Sequence, residues 1–327
     1  MTAPNPPLLS IRDLRVQYDT AGSGNRPLAA VDGVSFDIQA GSIMGLVGES
    51  GSGKSSLAQV IVQLVRPAGG QILFHGTELG SLKGTDSNRA RRSIQLIFQN
   101  PLASLSPRRS ILQSLLESLD HFRIGDSGQR PSRAVQALET VGLDPDVLHR
   151  YPHEISGGQR QRVALARALV AEPELIIADE AVSSLDVSVQ ATIIELILRL
   201  REKTGIAFLF ISHDLAVVRQ LADVVGVMYL GKMLEIAPAE ALFSRAAHPY
   251  TRSLLDAVPS PDPEQDKPFV LGGELPSPLT PPAGCVFHTR CPAVMEQCDR
   301  IQPEEKNIVE PGVSHTTHLV RCHLWKS

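Results

Sequence analysis

The chain has 327 residues, 43% hydrophobic, 4% aromatic and 20% charged, with a formal net charge of -4. A chain of that size and balance buries a substantial core without disulfides, in one large domain or two ordinary ones, which excludes a disordered or fibrous protein. The small negative charge supplies no global attraction to nucleic acid or anionic lipid, so no nucleic-acid partner is expected, and Arg89, Arg91 and Arg92 read as a solvated face.

Residues 1–7 lack the basic start and apolar run of a secretory leader, so a cytosolic product is expected. Leu9, Ile11, Leu14, Val16 and Tyr18 mostly alternate with polar residues, and the same period returns over 31–38. Two half-buried strands are predicted, joined by a Gly- and Asn-containing loop over 21–26. Residues 43–47 suit a buried parallel strand, and 54–65 have helical spacing. Further buried strands are predicted over 93–98, 175–178, 206–211 and 224–230, alternating with helices over 159–170, 188–201 and 214–221. Strands alternating with helices predict an α/β sheet. Between Gln99 and Tyr151 the strand signals give way to helical ones, which places a helical insertion at about 100–170.

No stretch reaches the roughly eighteen consecutive apolar residues of a membrane span, because Glu195, Arg199 and Asp256 break the longest candidates. From residue 259 the composition changes to Pro259, Pro261, Pro263, Pro268, Pro276, Pro278, Pro281 and Pro282, an extended linker or wrapping arm. Residues 284–327 form a small cysteine-bearing tail with too little apolar patterning to fold without a ligand or a surface to dock on. The predicted organisation is therefore a domain over 1–258 and an extension over 259–327.

The chemistry concentrates at Gly48-Glu-Ser-Gly-Ser-Gly-Lys-Ser55, which lies between a predicted strand and a predicted helix as a phosphate-binding P-loop requires. Gly48, Ser50, Gly51, Ser52 and Gly53 aim successive amides inward, and with the helix opening at Ser55 and Ser56 they bind phosphate oxygens. Lys54 reaches the β- and γ-phosphates of ATP, and the Ser55 hydroxyl ligates Mg²⁺. Leu175-Ile-Ile-Ala-Asp179-Glu180 is an apolar strand ending in two carboxylates, and the carboxyl edge of a parallel sheet faces the ligand crevice. Asp179 is placed to hold Mg²⁺ through water and Glu180 to orient or deprotonate an attacking water. His213 follows another core strand at an equivalent edge, which favours a γ-phosphate contact.

His153-Glu-Ile-Ser-Gly-Gly-Gln-Arg-Gln-Arg-Val-Ala-Leu-Ala-Arg-Ala168 resembles the signature of the ATP-binding cassette (ABC) ATPases. The resemblance extends over nearly the whole chain and implies an ABC-type P-loop fold: a mixed and parallel sheet core, an antiparallel β subdomain and the helical insertion. It makes Tyr18 the aromatic that stacks on adenine, and Gln99 a nucleotide-sensing glutamine that joins the Mg²⁺ site. It makes Ser156, Gly157, Gly158 and Gln159 the signature, the segment from Ser183 to Asp186 the dimer-seam loop, and His213 the switch histidine. Ile155 and Ala181 stand where the family often has leucine and proline. The signature opens a predicted helix and so forms a second anion site, which the resemblance assigns to the γ-phosphate of ATP held by a second cassette.

Gln99-Asn-Pro-Leu-Ala-Ser-Leu-Ser-Pro-Arg108, Ser184-Leu-Asp-Val-Ser-Val-Gln190, His248-Pro-Tyr-Thr-Arg-Ser-Leu-Leu255 and Leu275-Pro-Ser-Pro-Leu-Thr-Pro-Pro282 resemble dipeptide and oligopeptide permease ATPase subunits. That implies an importer with a second, related ATPase subunit, two membrane permease subunits and an external solute-binding protein, this chain being peripheral at the cytoplasmic face. Nickel and glutathione importers share much of the pattern, and a switch ATPase acting on a soluble partner is the other reading. The tail reads Cys285-x5-Cys291-x6-Cys298-x23-Cys322, which matches neither ferredoxin nor CxxC zinc spacing. A similar tail in the peptide-permease branch is associated with an iron–sulfur cluster. A [4Fe–4S] cluster, a zinc site using His288, His318 or His323 as stand-ins, and plain thiols stay open.

Overall fold

The computed structural model describes residues 6–19, 27–183, 185–257, 272–308 and 317–325. Most of the leader reading, the loop over 21–26, Ser184 and the prolines Pro259, Pro261, Pro263 and Pro268 lie outside the described residues. In chain order the elements are β1 (Leu9–Tyr18), β2 (Leu28–Ile38), β3 (Ile43–Val47), α1 (Lys54–Ile61), β4 (Gly69–Phe74), β5 (Thr77–Glu78), α2 (Gly84–Ser93), β6 (Ile94–Ile97), α3 (Ile111–His121), α4 (Arg130–Thr140) and α5 (Gly157–Leu169). They continue with β7 (Leu175–Asp179), α6 (Val187–Thr204), β8 (Ala207–Ser212), α7 (Leu215–Leu221), β9 (Val224–Tyr229), β10 (Lys232–Pro238), α8 (Ala239–Arg245), α9 (Pro249–Asp256), β11 (Glu305–Asn307) and β12 (Leu319–Arg321).

The chain divides into two compact units, the first made of Met1–Ser10, Asp37–Ile43 and Ile72–Ile211, the second of Ile11–Phe36, Met44–Gln71 and Ser212–Ser327. In the first unit β6, β7 and β8 run parallel, with Ile94 opposite Leu175 and Asp179 opposite Ile211. Every residue of β7 and β8 is buried, which is why both read as unbroken apolar runs rather than alternating ones. β4 and β5 make a short antiparallel pair.

Over the stretch read as helical, α3, α4 and α5 pack on one another. Local chemistry starts each of them. Ser110 and Gln113 close a reciprocal capping box on α3, Pro131 stands in the first turn of α4, and Ser156 and Gln159 form a second capping box on α5. α6 opens on the Asp186 side chain, which accepts from the Val189 amide, and stops at Gly205 in the left-handed conformation (φ 70°).

In the second unit β3 and β9 are parallel, β9 and β10 antiparallel, and the tail strand β12 pairs antiparallel with β10 and β11. The tail therefore extends this sheet instead of forming a separate core. β10 carries a register irregularity between Met233 and Glu235, which obscures its period in the sequence. The helix predicted to reach residue 65 ends at Ile61. Gln63 turns left-handed (φ 61°) and the Leu64 amide reaches back to the Gln59 carbonyl at 2.9 Å, a closed C-terminal turn. Among the described residues no helix is long and apolar enough to cross a membrane.

Candidate functional site

The glycine loop belongs to the second unit, between β3 and α1. Its path demands glycine at two points. Gly48 has φ 153° and Gly53 has φ 103°, and a Cβ on either would lie 2.1 Å from a backbone oxygen, that of Met228 or Ala30. The loop curls around Lys54, which is only 4% exposed and donates to the carbonyls of Gly48 (2.7 Å) and Glu49 (2.9 Å) and to Ser52 Oγ (3.3 Å). From outside, the Gly231 amide holds the Ser52 carbonyl at 2.9 Å, and the Gly231 carbonyl holds the Asp32 amide at the same distance. Ser50, Gly51 and Ser55 are exposed and Ser56 is half-buried. A buried lysine that donates to the carbonyls of its own glycine loop, at the N-terminus of a helix, is an arrangement that takes anionic oxygen.

In the first unit β7 delivers Asp179, 8% exposed, and Glu180. The Glu180 amide bonds the Ile211 carbonyl at 3.0 Å, and the residue sits left-handed at φ 47°, a conformation costing about 1 kcal/mol or more for a side chain of this kind. Gln99 Nε2 donates to Glu180 Oε2 at 2.7 Å, although 81 residues separate them. The pair fixes the carboxylate against Gln99. Ser183 Oγ donates to the Glu180 carbonyl at 3.0 Å, bracing the same turn.

The signature is also in the first unit. Ser156 accepts from the Gln159 amide (3.2 Å) while its own amide donates to Gln159 Oε1 (2.9 Å). The amides of Gly157 and Gly158 stand in the first turn, where a helix offers an amide no acceptor of its own. A second reason for glycine appears here: a Cβ on Gly158 would stand 2.6 Å from Val189 Cγ1 of α6. Asp186, which the resemblance places at the end of the dimer-seam loop, caps α6. It accepts from Ser188 Oγ at 2.6 Å, the main cause of a pKa below the usual aspartate value, and from the Val189 amide at 3.0 Å.

By unit, Tyr18, the glycine loop and His213 fall in the second, while Gln99, Ser156, Gly157, Gly158, Gln159, Asp179, Glu180 and Asp186 fall in the first. Tyr18 ends β1 half-buried, and His213 is exposed just after β8. For Mg²⁺ the residues named from the sequence, Ser55, Gln99 and Asp179, offer hydroxyl, amide and carboxylate oxygen, the donor set this hard cation takes.

Several residues that shape the loop escaped the sequence reading. Tyr250 of α9 accepts from the Glu49 amide at 3.0 Å, and Arg290 of the tail pairs with the Glu49 carboxylate. Glu235 of β10, 1% exposed, accepts from the amides of Ala247 (2.7 Å) and His248 (2.9 Å) and bonds His318 at 2.8 Å. Burial opposes its charge, but these hydrogen bonds outweigh burial and hold the carboxyl below the usual glutamate value. His248 caps α9 by accepting from the Tyr250 amide at 3.0 Å, and burial pushes its pKa down to about 4. Only the His-Pro-Tyr stretch of the oligopeptide-type motif had drawn attention to this region.

The four cysteines converge in the tail. Cys285, Cys298 and Cys322 are buried, Cys291 is half-buried, none is in a disulfide, and the Cys285 amide bonds the Cys298 carbonyl at 2.8 Å. Burial raises the thiols of Cys285 (to about 11), Cys291 and Cys322, and their mutual proximity adds to this. Among the described residues, however, no three His, Cys, Asp or Glu side chains are arranged to hold a metal ion, so the ligand set expected from the sequence does not fit the side chains as they stand.

Comparison with known proteins agrees with this geometry. Residues 31–183 match the ABC transporter family, and residues 234–298 match the C-terminal region of oligopeptide/dipeptide transporters. The chain is 49% identical over 307 residues to a putative peptide import ATP-binding protein of Brucella ovis, covering 94% of this chain and 96% of that one. It is 44% identical over 334 residues to the oligopeptide transport ATP-binding protein AppF of Bacillus subtilis, covering 99% and 100%. Among solved structures it is similar to the dimeric, post-hydrolysis ATP-binding cassette MJ0796 bound to ADP and Pi, at a TM-score of 0.63 and 26% identity over 71% of this chain and 98% of that one. It is equally similar to CbiO1 of Clostridium perfringens, part of an ABC transporter complex, with a TM-score of 0.63, 26% identity, and 73% and 91% covered.

Proposed function

The chain belongs to the ABC transporter family, in its oligopeptide/dipeptide branch, and from that premise we infer that it is the ATP-hydrolysing subunit of a peptide importer, energising uptake of di- and oligopeptides through separate membrane permease subunits. The observation that carries this is the buried Lys54 folded into its glycine loop, in a chain whose residues 234–298 match the oligopeptide/dipeptide C-terminal region.

In this reading Lys54 exchanges its loop carbonyls for the β- and γ-phosphates, and the amides of the loop and of α1 take the remaining oxygens. Ser55, Gln99 and Asp179 would hold Mg²⁺, which would supply positive charge against that developing on the phosphates. Glu180, oriented by Gln99, accepts the proton of the attacking water. His213 contacts the γ-phosphate and Tyr18 stacks on the adenine. Ser156, Gly157, Gly158 and Gln159 cap the γ-phosphate of an ATP held by a second cassette, so closure depends on that phosphate and hydrolysis releases it. Asp186 contributes by fixing the start of α6 at the seam.

The partners are a second related ATPase subunit, two membrane permeases and an external solute-binding protein, with this chain peripheral at the cytoplasmic face. The relatives named as peptide import proteins support that assembly. The test is affinity purification from solubilised membranes of cells producing the tagged chain. Two co-purifying integral membrane proteins, with ATPase activity stimulated by peptide-loaded binding protein, are expected; a partner set without any membrane protein would overturn the importer reading. For the cysteines we propose a [4Fe–4S] cluster, supported by four thiols, three of them buried, within one short tail; taking it up requires the side chains to turn from the positions they hold here. Iron and sulfide analysis after anaerobic purification tests it, and stoichiometric zinc or metal-free protein would refute it.

A further inference from the structure

Glu49 lies inside the phosphate loop, yet a carboxylate there opposes the binding of a polyphosphate. Its charge needs a counter-ion, and the structure supplies one from far along the chain. Arg290 donates to both Glu49 oxygens, at 2.7 and 3.1 Å, with its side chain 6% exposed and that of Glu49 27% exposed. The same guanidinium reaches the Tyr229 hydroxyl at 3.4 Å and lies 5.9 Å from the Tyr229 ring centroid. The bond to Glu49 is the main reason the guanidinium pKa rises above its ordinary value.

The rest of Glu49 is held as well. Its amide donates to the Tyr250 hydroxyl at 3.0 Å and its carbonyl accepts from Lys54 at 2.9 Å. Tyr250, Tyr229 and Phe287 pack ring against ring, with centroids 4.7 to 5.4 Å apart. Phe287 follows Cys285 by two positions and Arg290 immediately precedes Cys291, so the segment that bears the cysteines is the segment that grips the loop. A bidentate pair of this burial is stronger and more directional than a surface ion pair.

We propose that the C-terminal extension is a positioning element of the phosphate loop: docked Arg290 neutralises Glu49 and fixes its backbone, so that the affinity of this chain for ATP depends on the extension being in place. The proposal rests on the reading of residues 48–56 as the ATP phosphate loop.

The test is equilibrium binding of Mg-ATP, with KM and kcat, on the full chain carrying Arg290→Gln, Arg290→Lys, Glu49→Gln, the Arg290→Gln/Glu49→Gln pair, and Lys54→Ala as control. Arg290→Gln leaves the carboxylate unpaired and weakens ATP binding roughly 5- to 150-fold, the usual span of coupling between two sites. The change appears in Kd and KM and leaves kcat nearly untouched. Removing the carboxylate too, in the double variant, restores affinity to near the Glu49→Gln value, and Arg290→Lys retains most of it. Wild-type affinity in Arg290→Gln, or a double variant as weak as that single, overturns the proposal. Should Arg290→Gln not fold, Glu49→Gln carries the test, since it must bind ATP at least as tightly as the wild type. If Lys54→Ala still binds ATP, the loop reading itself fails; if Lys54→Ala alone loses ATP, only the role of Arg290 does.

Discussion

Replacing Gly158 with alanine adds one methyl group where α5 meets the first turn of α6. The new carbon would lie 2.6 Å from Val189 Cγ1 and 3.6 Å from Cγ2, whereas carbon atoms in contact settle near 3.5–4.0 Å. The helices must separate by about 1 Å, because a valine within a helix has one strongly preferred rotamer and cannot swing aside. Overpacking of this size costs about 1–3 kcal/mol. In urea, with a slope of about 3 kcal/mol/M for a protein this large, the midpoint falls by roughly 0.3–1 M. Adding Val189→Ala removes the clash, so the double variant is more stable than Gly158→Ala alone. If Gly158→Ala lies within about 0.5 kcal/mol of the wild type, or if Val189→Ala simply adds its own loss, the packing explanation is wrong.

Glu180→Gln keeps the hydrogen bond to Gln99 but removes the base; steady-state turnover falls about 10²- to 10⁴-fold while ATP binding persists, and undiminished hydrolysis would take Glu180 out of the mechanism. His248 contributes to acid stability. Its folded pKa of about 4 lies below the ordinary 6.5, so as pH falls the unfolded chain takes up the proton first. The contribution is whole above pH 6.5 and shrinks by about 3 kcal/mol on the way down to pH 4. His248→Asn, which keeps an acceptor for the Tyr250 amide, should flatten urea-derived stability between those limits, and an unchanged slope would contradict the assignment.

The parts of the fold legible in the sequence are those whose information is local. β3, the glycine loop and the start of α1 follow from an apolar pentamer, three glycines and a lysine, and β7 and β8 follow from uninterrupted apolar runs. The end of α1 was not legible, because the left-handed turn falls on Gln63, a residue without turn preference. β10 was hidden by Glu235, which breaks the apolar pattern and makes sense only beside His318 and the amides of Ala247 and His248. The Gln99–Glu180 contact could be approached through family resemblance, while the pairing of Arg290 with Glu49 spans 241 residues and leaves no mark in spacing or composition. Ser156 shows a subtler case. Its Ser-x-x-Gln pattern announces a helix cap as clearly as an anion site, and the structure uses the hydroxyl for the cap.

Titration of purified chain with a fluorescent ATP analogue in the presence of Mg²⁺, wild type beside Lys54→Ala, addresses the central claim most directly. Saturable binding that competes with ATP and disappears with the lysine is the expected result. Equal binding by both proteins would mean that the cradle formed by Gly48, Glu49 and Ser52 around Lys54 does not grip the nucleotide, and the assigned roles of the surrounding residues would fall with it.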